Sequence, residues 1–172
     1  MDDEAPEVLD DVLQTGLQVV FCGTAAGEKS ALLRHPYACP GNKFWATIHQ
    51  IGLTTAQLSP SDYRKFLDCG LGLTDIAKRA SGADSALSSG DFDVPTLRDK
   101  LTEFSPRILA FNGKKAASVF YDVPTRKLLY GRQLYAIGET CVWVLPSTSG
   151  FACRYWDIEQ WKALADSILA ND

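Results

Sequence analysis

Three stretches constrain this chain more than anything else in it. Leu17–Cys22, Arg107–Phe111 and Cys141–Leu145 are short, almost continuously apolar, and each stops at a glycine, an asparagine or a proline. Runs of that length and composition read as strands, and a strand apolar on both sides belongs in a sheet covered on both faces. Leu71–Thr74 reads as a fourth, shorter strand. Helical signals lie between them. Ser59-Pro60-Ser61-Asp62 offers a cap, a proline at the first helical position and a carboxylate three residues after the cap. Leu97, Leu101 and Phe104 follow Val94 at helical spacing, and Asp157 can cap a helix that carries Ile158, Trp161, Ala165 and Ile168 on one face. Strands alternating with helices predict an α/β fold, a three-layer α/β/α sandwich with a central, mostly parallel four-stranded sheet. Ligands of such sheets bind beyond the carboxyl ends of the strands. The loops after Cys22, Phe111 and Leu145 therefore surround one candidate site.

A chain of 172 residues is one domain in size, so residues 1–172 are read as a single unit. The net charge of −4 excludes a globally basic nucleic-acid binder but not a local basic patch. No apolar run is long enough to span a membrane, and the acidic start, Met1-Asp2-Asp3-Glu4, lacks the order of a signal peptide. Residues 1–16 match no motif, and Asp2 to Asp11 read as a flexible, solvated acidic arm. The five cysteines are scattered without a CxxC pair, which reads as reduced thiols in a cytoplasmic protein. With His35 and His49 the only histidines, no metal site is expected. Ser81–Asp93, rich in Ser, Gly, Asp and Ala, reads as a surface loop.

The first loop, Gly23-Thr24-Ala25-Ala26-Gly27-Glu28-Lys29-Ser30, has the small residues that let backbone approach a ligand. It is not a P-loop: three residues, not four, separate the glycines, and Glu28 precedes Lys29. Next comes His35-Pro36-Tyr37-Ala38-Cys39-Pro40-Gly41-Asn42-Lys43-Phe44-Trp45, where aromatics suited to stacking on a base sit beside a cation. The last loop, Leu145–Arg154, combines hydroxyls that can grip phosphate with Phe151, an apolar wedge, and Arg154.

Four segments together carry a resemblance: Val19-Val20-Phe21-Cys22-Gly23, Asn42-Lys43-Phe44-Trp45, Phe111-Asn112-Gly113-Lys114 and Val144-Leu145-Pro146-Ser147-Thr148-Ser149-Gly150. In this order they resemble the uracil-DNA glycosylase superfamily, closest to its mismatch-specific (thymine/uracil mismatch) branch, from about Leu17 to the C-terminal helix. Such enzymes flip a damaged nucleotide out of the duplex, because the base is unreachable inside it. The resemblance implies that Tyr37 stacks on the flipped base, and that groups near Thr24, Ala25, Tyr37, Asn42 and Ser147 line its pocket. It also implies that Ser149 and Gly150 grip phosphate while Phe151 enters the helix. Lys29, Lys43, Lys114 and Arg154 would supply local positive charge. The implied partner is DNA containing uracil or another deaminated base. The implied state is a monomeric, monofunctional glycosylase without metal or cofactor, localised in the cytoplasm, on the nucleoid in a bacterium.

One position departs from that pattern. The branch carries an Asn in the first loop that positions the attacking water, and here Ala25 stands there. Ser147 likewise stands where the bacterial mismatch-specific enzymes tend to have Asn. Bond cleavage builds positive charge on the sugar, which a carboxylate can stabilise while it orients water. Asp75, after Gly72-Leu73-Thr74, is the favoured candidate, with a helix N-cap as its alternative role; Glu28 is second, and Asp68 reads as a solvated surface residue. Asn112, at a strand end, could bond a base edge or a water, or serve as a turn residue. His35 is a further, weaker candidate. Without the Asn side chain the pocket is roomier, so hypoxanthine or xanthine could enter. No lysine is placed to form a Schiff base, so strand cleavage is not expected. The rivals are a catalytically silent DNA-binding module and an unrelated small-molecule α/β enzyme.

Overall fold

The computed structural model describes residues 4–170. In chain order its elements are β1 (Val19–Gly23), α1 (Glu28–Leu33), α2 (Phe44–Gln50), β2 (Leu71–Asp75), α3 (Val94–Phe104), β3 (Ile108–Asn112), α4 (Lys114–Tyr121), β4 (Gly131–Arg132), β5 (Cys141–Leu145) and α5 (Ile158–Leu169). The sheet order is β2-β1-β3-β5-β4. Four strands run parallel, as expected, and β4 adds a fifth, antiparallel to β5 at the edge. Apolar residues cover both faces. One core layer centres on Phe21, Phe44, Phe66 and Trp161, the other on Leu109, Phe111, Leu101 and Phe120. In the first layer Phe21 stacks on Trp161 at 5.7 Å and meets Phe44 edge-on at 5.5 Å, geometries that add to plain burial.

Helix termini follow their caps where the side chains reach. Asp93 accepts from the Thr96 amide at 3.0 Å to start α3, and Asp157 accepts from the Glu159 amide at 3.0 Å to start α5. The segment opened by Ser59 and Pro60 winds instead as a 3₁₀ helix over Pro60–Cys69, ending at Gly70 with φ 72°. There the Asp62 carboxylate accepts from the Ser59 hydroxyl at 2.9 Å and from the Ser59 backbone. The Ser81–Asp93 stretch is a surface connection with two short 3₁₀ turns.

The acidic start is not a free arm. Asp2 and Asp3 lie outside the described residues, but Leu9 and Val12 are buried and Val12 pairs with Leu73 through two 2.9 Å backbone bonds. Leu9 and Val12, set among the acids, anchor this strap along β2. Among the described residues no helix is long and apolar enough to cross a membrane.

Candidate active site

Parallel register brings the carboxyl ends of the strands together. Gly23 is the partner of Asp75 across β1 and β2, and Asn112 is the partner of Leu145 across β3 and β5. A Cβ on Gly23 would lie 2.5 Å from the Asp75 Oδ1 and 3.3 Å from the Tyr37 hydroxyl. Glycine is therefore what lets a carboxylate lie over the end of β1. Beyond Asp75 the chain bends and no helix begins, so its alternative role as an N-cap is not the one it fills. The backbone runs on beside the first loop, with the Ile76 and Ala77 amides donating to Gly23 and Thr24.

Burial pushes the Asp75 carboxyl up to about 6, the neighbouring Asp11 adds to the rise, and Lys78 and Lys100 oppose it. Such a group is mostly ionised at neutral pH and still able to exchange a proton, the range suited to general acid–base work. The Tyr37 hydroxyl is held far above its ordinary value by burial and by Asp75, and stays a neutral phenol.

Tyr37 has a left-handed backbone, φ 54°, and its ring stacks on Phe44 at 4.0 Å. Three contacts hold this loop. The Ala38 amide donates to the Ser30 hydroxyl at 3.0 Å, Trp45 Nε1 donates to the Pro36 carbonyl at 3.0 Å, and the Asn42 carboxamide oxygen accepts from the Phe44 amide at 3.0 Å. The Asn42 side chain thus steadies the turn just ahead of α2.

The loop after β5 is anchored as firmly. Trp161 Nε1 donates to the Pro146 carbonyl at 3.0 Å, and the Lys43 amide donates to the Thr148 carbonyl at 2.9 Å. Asn112 bonds the fully buried Thr148 twice: its amide donates to the Thr148 hydroxyl at 2.9 Å, and its oxygen accepts from the Thr148 amide at 3.0 Å. A further hydrogen bond joins Asn112 to the Tyr37 hydroxyl. Asn112 therefore ties the end of β3 to the Tyr37 loop between α1 and α2 and to the loop after β5, and most of its hydrogen-bonding capacity is used there. Ser147 accepts from the Ser149 amide at 3.2 Å, and Ser149 from the Phe151 amide at 3.3 Å, which sets the turn that carries Phe151. Phe151 is 96 % exposed, the extreme among the large apolar residues described. Gly150 passes so close to Gly41 that a Cβ would sit 3.3 Å from its carbonyl oxygen.

Several expected residues lie away from this centre or are otherwise engaged. Glu28 and Lys29 are exposed on the first turn of α1, so Glu28 is not gathered beside Asp75. Asp68 is exposed as expected, and His35 packs at 6.2 Å against Tyr63. The Lys43 ammonium lies 5.7 Å over Trp156, and that of Lys114 lies 4.4 Å over Tyr130. Arg154 is exposed beside Tyr155. Thr24 and Ala25 are half-buried at the mouth, and Thr24 bonds Asp84, whose carboxyl is pushed up by burial. Asp84 was not legible in its Ser/Gly-rich loop. Behind β2, Asp11, Lys78 and Lys100 form an ion-pair cluster equally hidden in the sequence. Among the described residues no group of three or more acidic, His or Cys side chains could hold a metal ion.

Comparisons with known proteins bear on the family and the fold. A family model described as the Uracil DNA glycosylase superfamily matches residues 11–166. The chain is also similar to the solution structure of "a putative Uracil DNA glycosylase from Methanosarcina acetivorans", with 25 % identity, a TM-score of 0.65, and coverage of 94 % of this chain and 96 % of that one.

Proposed function

The chain belongs to the uracil DNA glycosylase superfamily, and from that premise we propose that it is a monofunctional enzyme excising uracil from DNA with Asp75 as its carboxylate. The observation that carries the proposal is the Asp75 carboxylate lying against Gly23 at the converging strand ends, with Tyr37 beside it. Ala25 offers only a methyl group, so the polar work falls to Asp75. The ionised carboxylate orients a water and faces the positive charge that grows on the sugar as the glycosidic bond breaks. Tyr37 has one ring face against Phe44, which leaves the other for the flipped base. Phe151, without cover from the protein, fills the gap left in the stack. Arg154, Ser149 and Gly150 complete the contact to phosphate. Within the superfamily the reading is the mismatch-specific branch, with the role of its first-loop Asn taken over by a carboxylate at the end of β2. The enzyme acts as a monomer in the cytoplasm.

The absence of an Asn side chain at Ala25 leaves room for a purine, so the substrate range extends to hypoxanthine and xanthine. Single-turnover release from otherwise identical duplexes carrying uracil, thymine, hypoxanthine or xanthine tests this. Release of uracil with one of the purines is the expected result. Uracil alone would remove the wider range, and binding without release of any base would make the chain a silent DNA-binding module.

A further inference from the structure

The amino-terminal strap places a charged cluster on the far side of the strand that ends in Asp75. Residues alternate across a strand, so Thr74 faces away from the Gly23–Asp75 contact. Its hydroxyl donates to the Asp11 carboxylate at 2.7 Å. The same carboxylate pairs with Lys78 at 2.8 Å and with Lys100, from α3, at 2.5 Å. Lys78 is only 5 % exposed and also donates to the Leu9 carbonyl at 2.6 Å. Glu7 stands further out, 3.7 Å from Lys78 and 3.9 Å from Lys100. Two cations thus meet one close carboxylate behind the strand that ends in Asp75, with Lys78 three residues further along the chain, and Asp75 has no salt-bridge partner among the described residues.

Resting on the glycosylase reading, we propose that Lys78 is a positioning residue for the reaction: clamped by Asp11 of the strap, it holds positive charge behind Asp75, and Asp11 limits how much of that charge Asp75 experiences. A buried ammonium is expensive unless paired, and the strap provides the pairing. Burial alone would push the Lys78 ammonium down, but Asp11, Asp75 and Glu7 together hold it above its ordinary value, so it stays charged. Burial would push the Asp11 carboxyl up, yet Lys78, Lys100 and Thr74 bring it below. Of the other groups that face Asp75, Tyr37 from its loop and Cys22 on β1 are both held neutral by burial. The charge balance at Asp75 is therefore set by Lys78 and Lys100 against Asp11.

The two halves of this ion pair act on Asp75 with opposite sign, which a purely structural clamp would not do. Lys78→Met removes a favourable charge, so the Asp75 midpoint rises; Asp11→Asn frees two cations, so it falls. A change of roughly one pH unit each way is expected for removal of one charge that acts on the carboxyl. The probe is the carboxyl ¹³C resonance of Asp75, identified by its loss in Asp75→Asn, titrated in the full-length protein. Lys100→Met gives a second upward-shifting variant should Lys78→Met not fold. The acid limb of single-turnover uracil release is to follow the same order. Midpoints that stay together, or move in one direction, overturn the proposal. Midpoints that separate as expected in a protein releasing no base support the coupling and overturn the glycosylase reading instead.

Discussion

A carboxylate kept for chemistry in a buried site should weaken the fold that holds it, and Asp75→Asn measures by how much. The Asp75 carboxyl titrates at about 6 in the folded protein against an ordinary value of 3.8. Below 3.8 the group is protonated in both states and costs nothing. Between the two values the unfolded chain releases its proton while the folded chain keeps it, so stability falls as pH rises. Above about 6 the full penalty is present. At about 1.4 kcal/mol for each tenfold change in proton affinity, that penalty has a ceiling of about 3 kcal/mol. Asp75 keeps some surface, and solvent screening brings the expectation to about 2 kcal/mol. Asparagine has nearly the same shape and no charge. Urea unfolding of both proteins at pH 4 and pH 8 isolates the effect, because packing differences are common to both pH values. The variant is expected to gain about 2 kcal/mol on wild type between pH 4 and pH 8, worth about 4–8 °C in Tm for a chain of this size. An unchanged difference between the two pH values would refute the claim that this carboxylate is buried at the site's floor.

Three other perturbations follow from the contacts. Asn112→Ala strands the amide and hydroxyl of buried Thr148, so about 2–3 kcal/mol of stability should be lost in urea unfolding; a loss under 0.5 would mean the network is idle. Phe151→Ala should leave stability within about 0.5 kcal/mol, since the ring is almost fully exposed. It should weaken binding to a uracil-containing duplex about 5–100-fold by fluorescence anisotropy, and unchanged affinity would remove the wedge. Gly23→Ala sets a methyl group 2.5 Å from the Asp75 oxygen; displacing the carboxylate should slow base release about a hundredfold, and a wild-type rate would show that its position is unimportant.

The parts legible in the sequence were those whose signal is local. Cys141–Leu145 is β5 residue for residue, because an unbroken apolar run between a turn and a proline has few other uses. Gly131–Arg132 was invisible as a strand: two residues carry no periodicity, and β5 alone dictates their pairing. The strap was misread for a related reason. Its acids dominate the composition, while Leu9 and Val12 are buried only because β2 lies alongside. At the site, Asp75 could be picked out as a carboxylate at a strand end, with Glu28 second, and the exposed first turn of α1 keeps Glu28 in solvent. Asn112 was visible as a polar strand end, yet its engagement with Thr148 depends on a loop far along the chain. The same holds for Asp11 with Lys78 and Lys100: spacing cannot reveal ion pairs made across three separate elements.

The most direct test of the central claim is single-turnover release of uracil from a labelled duplex at pH 8, wild type beside Asp75→Asn. Wild type should release the base, and the variant should be slower by about 10²–10³, the usual effect of losing one positioned polar group, with duplex binding retained. Equal rates for the two proteins would contradict the assignment of Asp75.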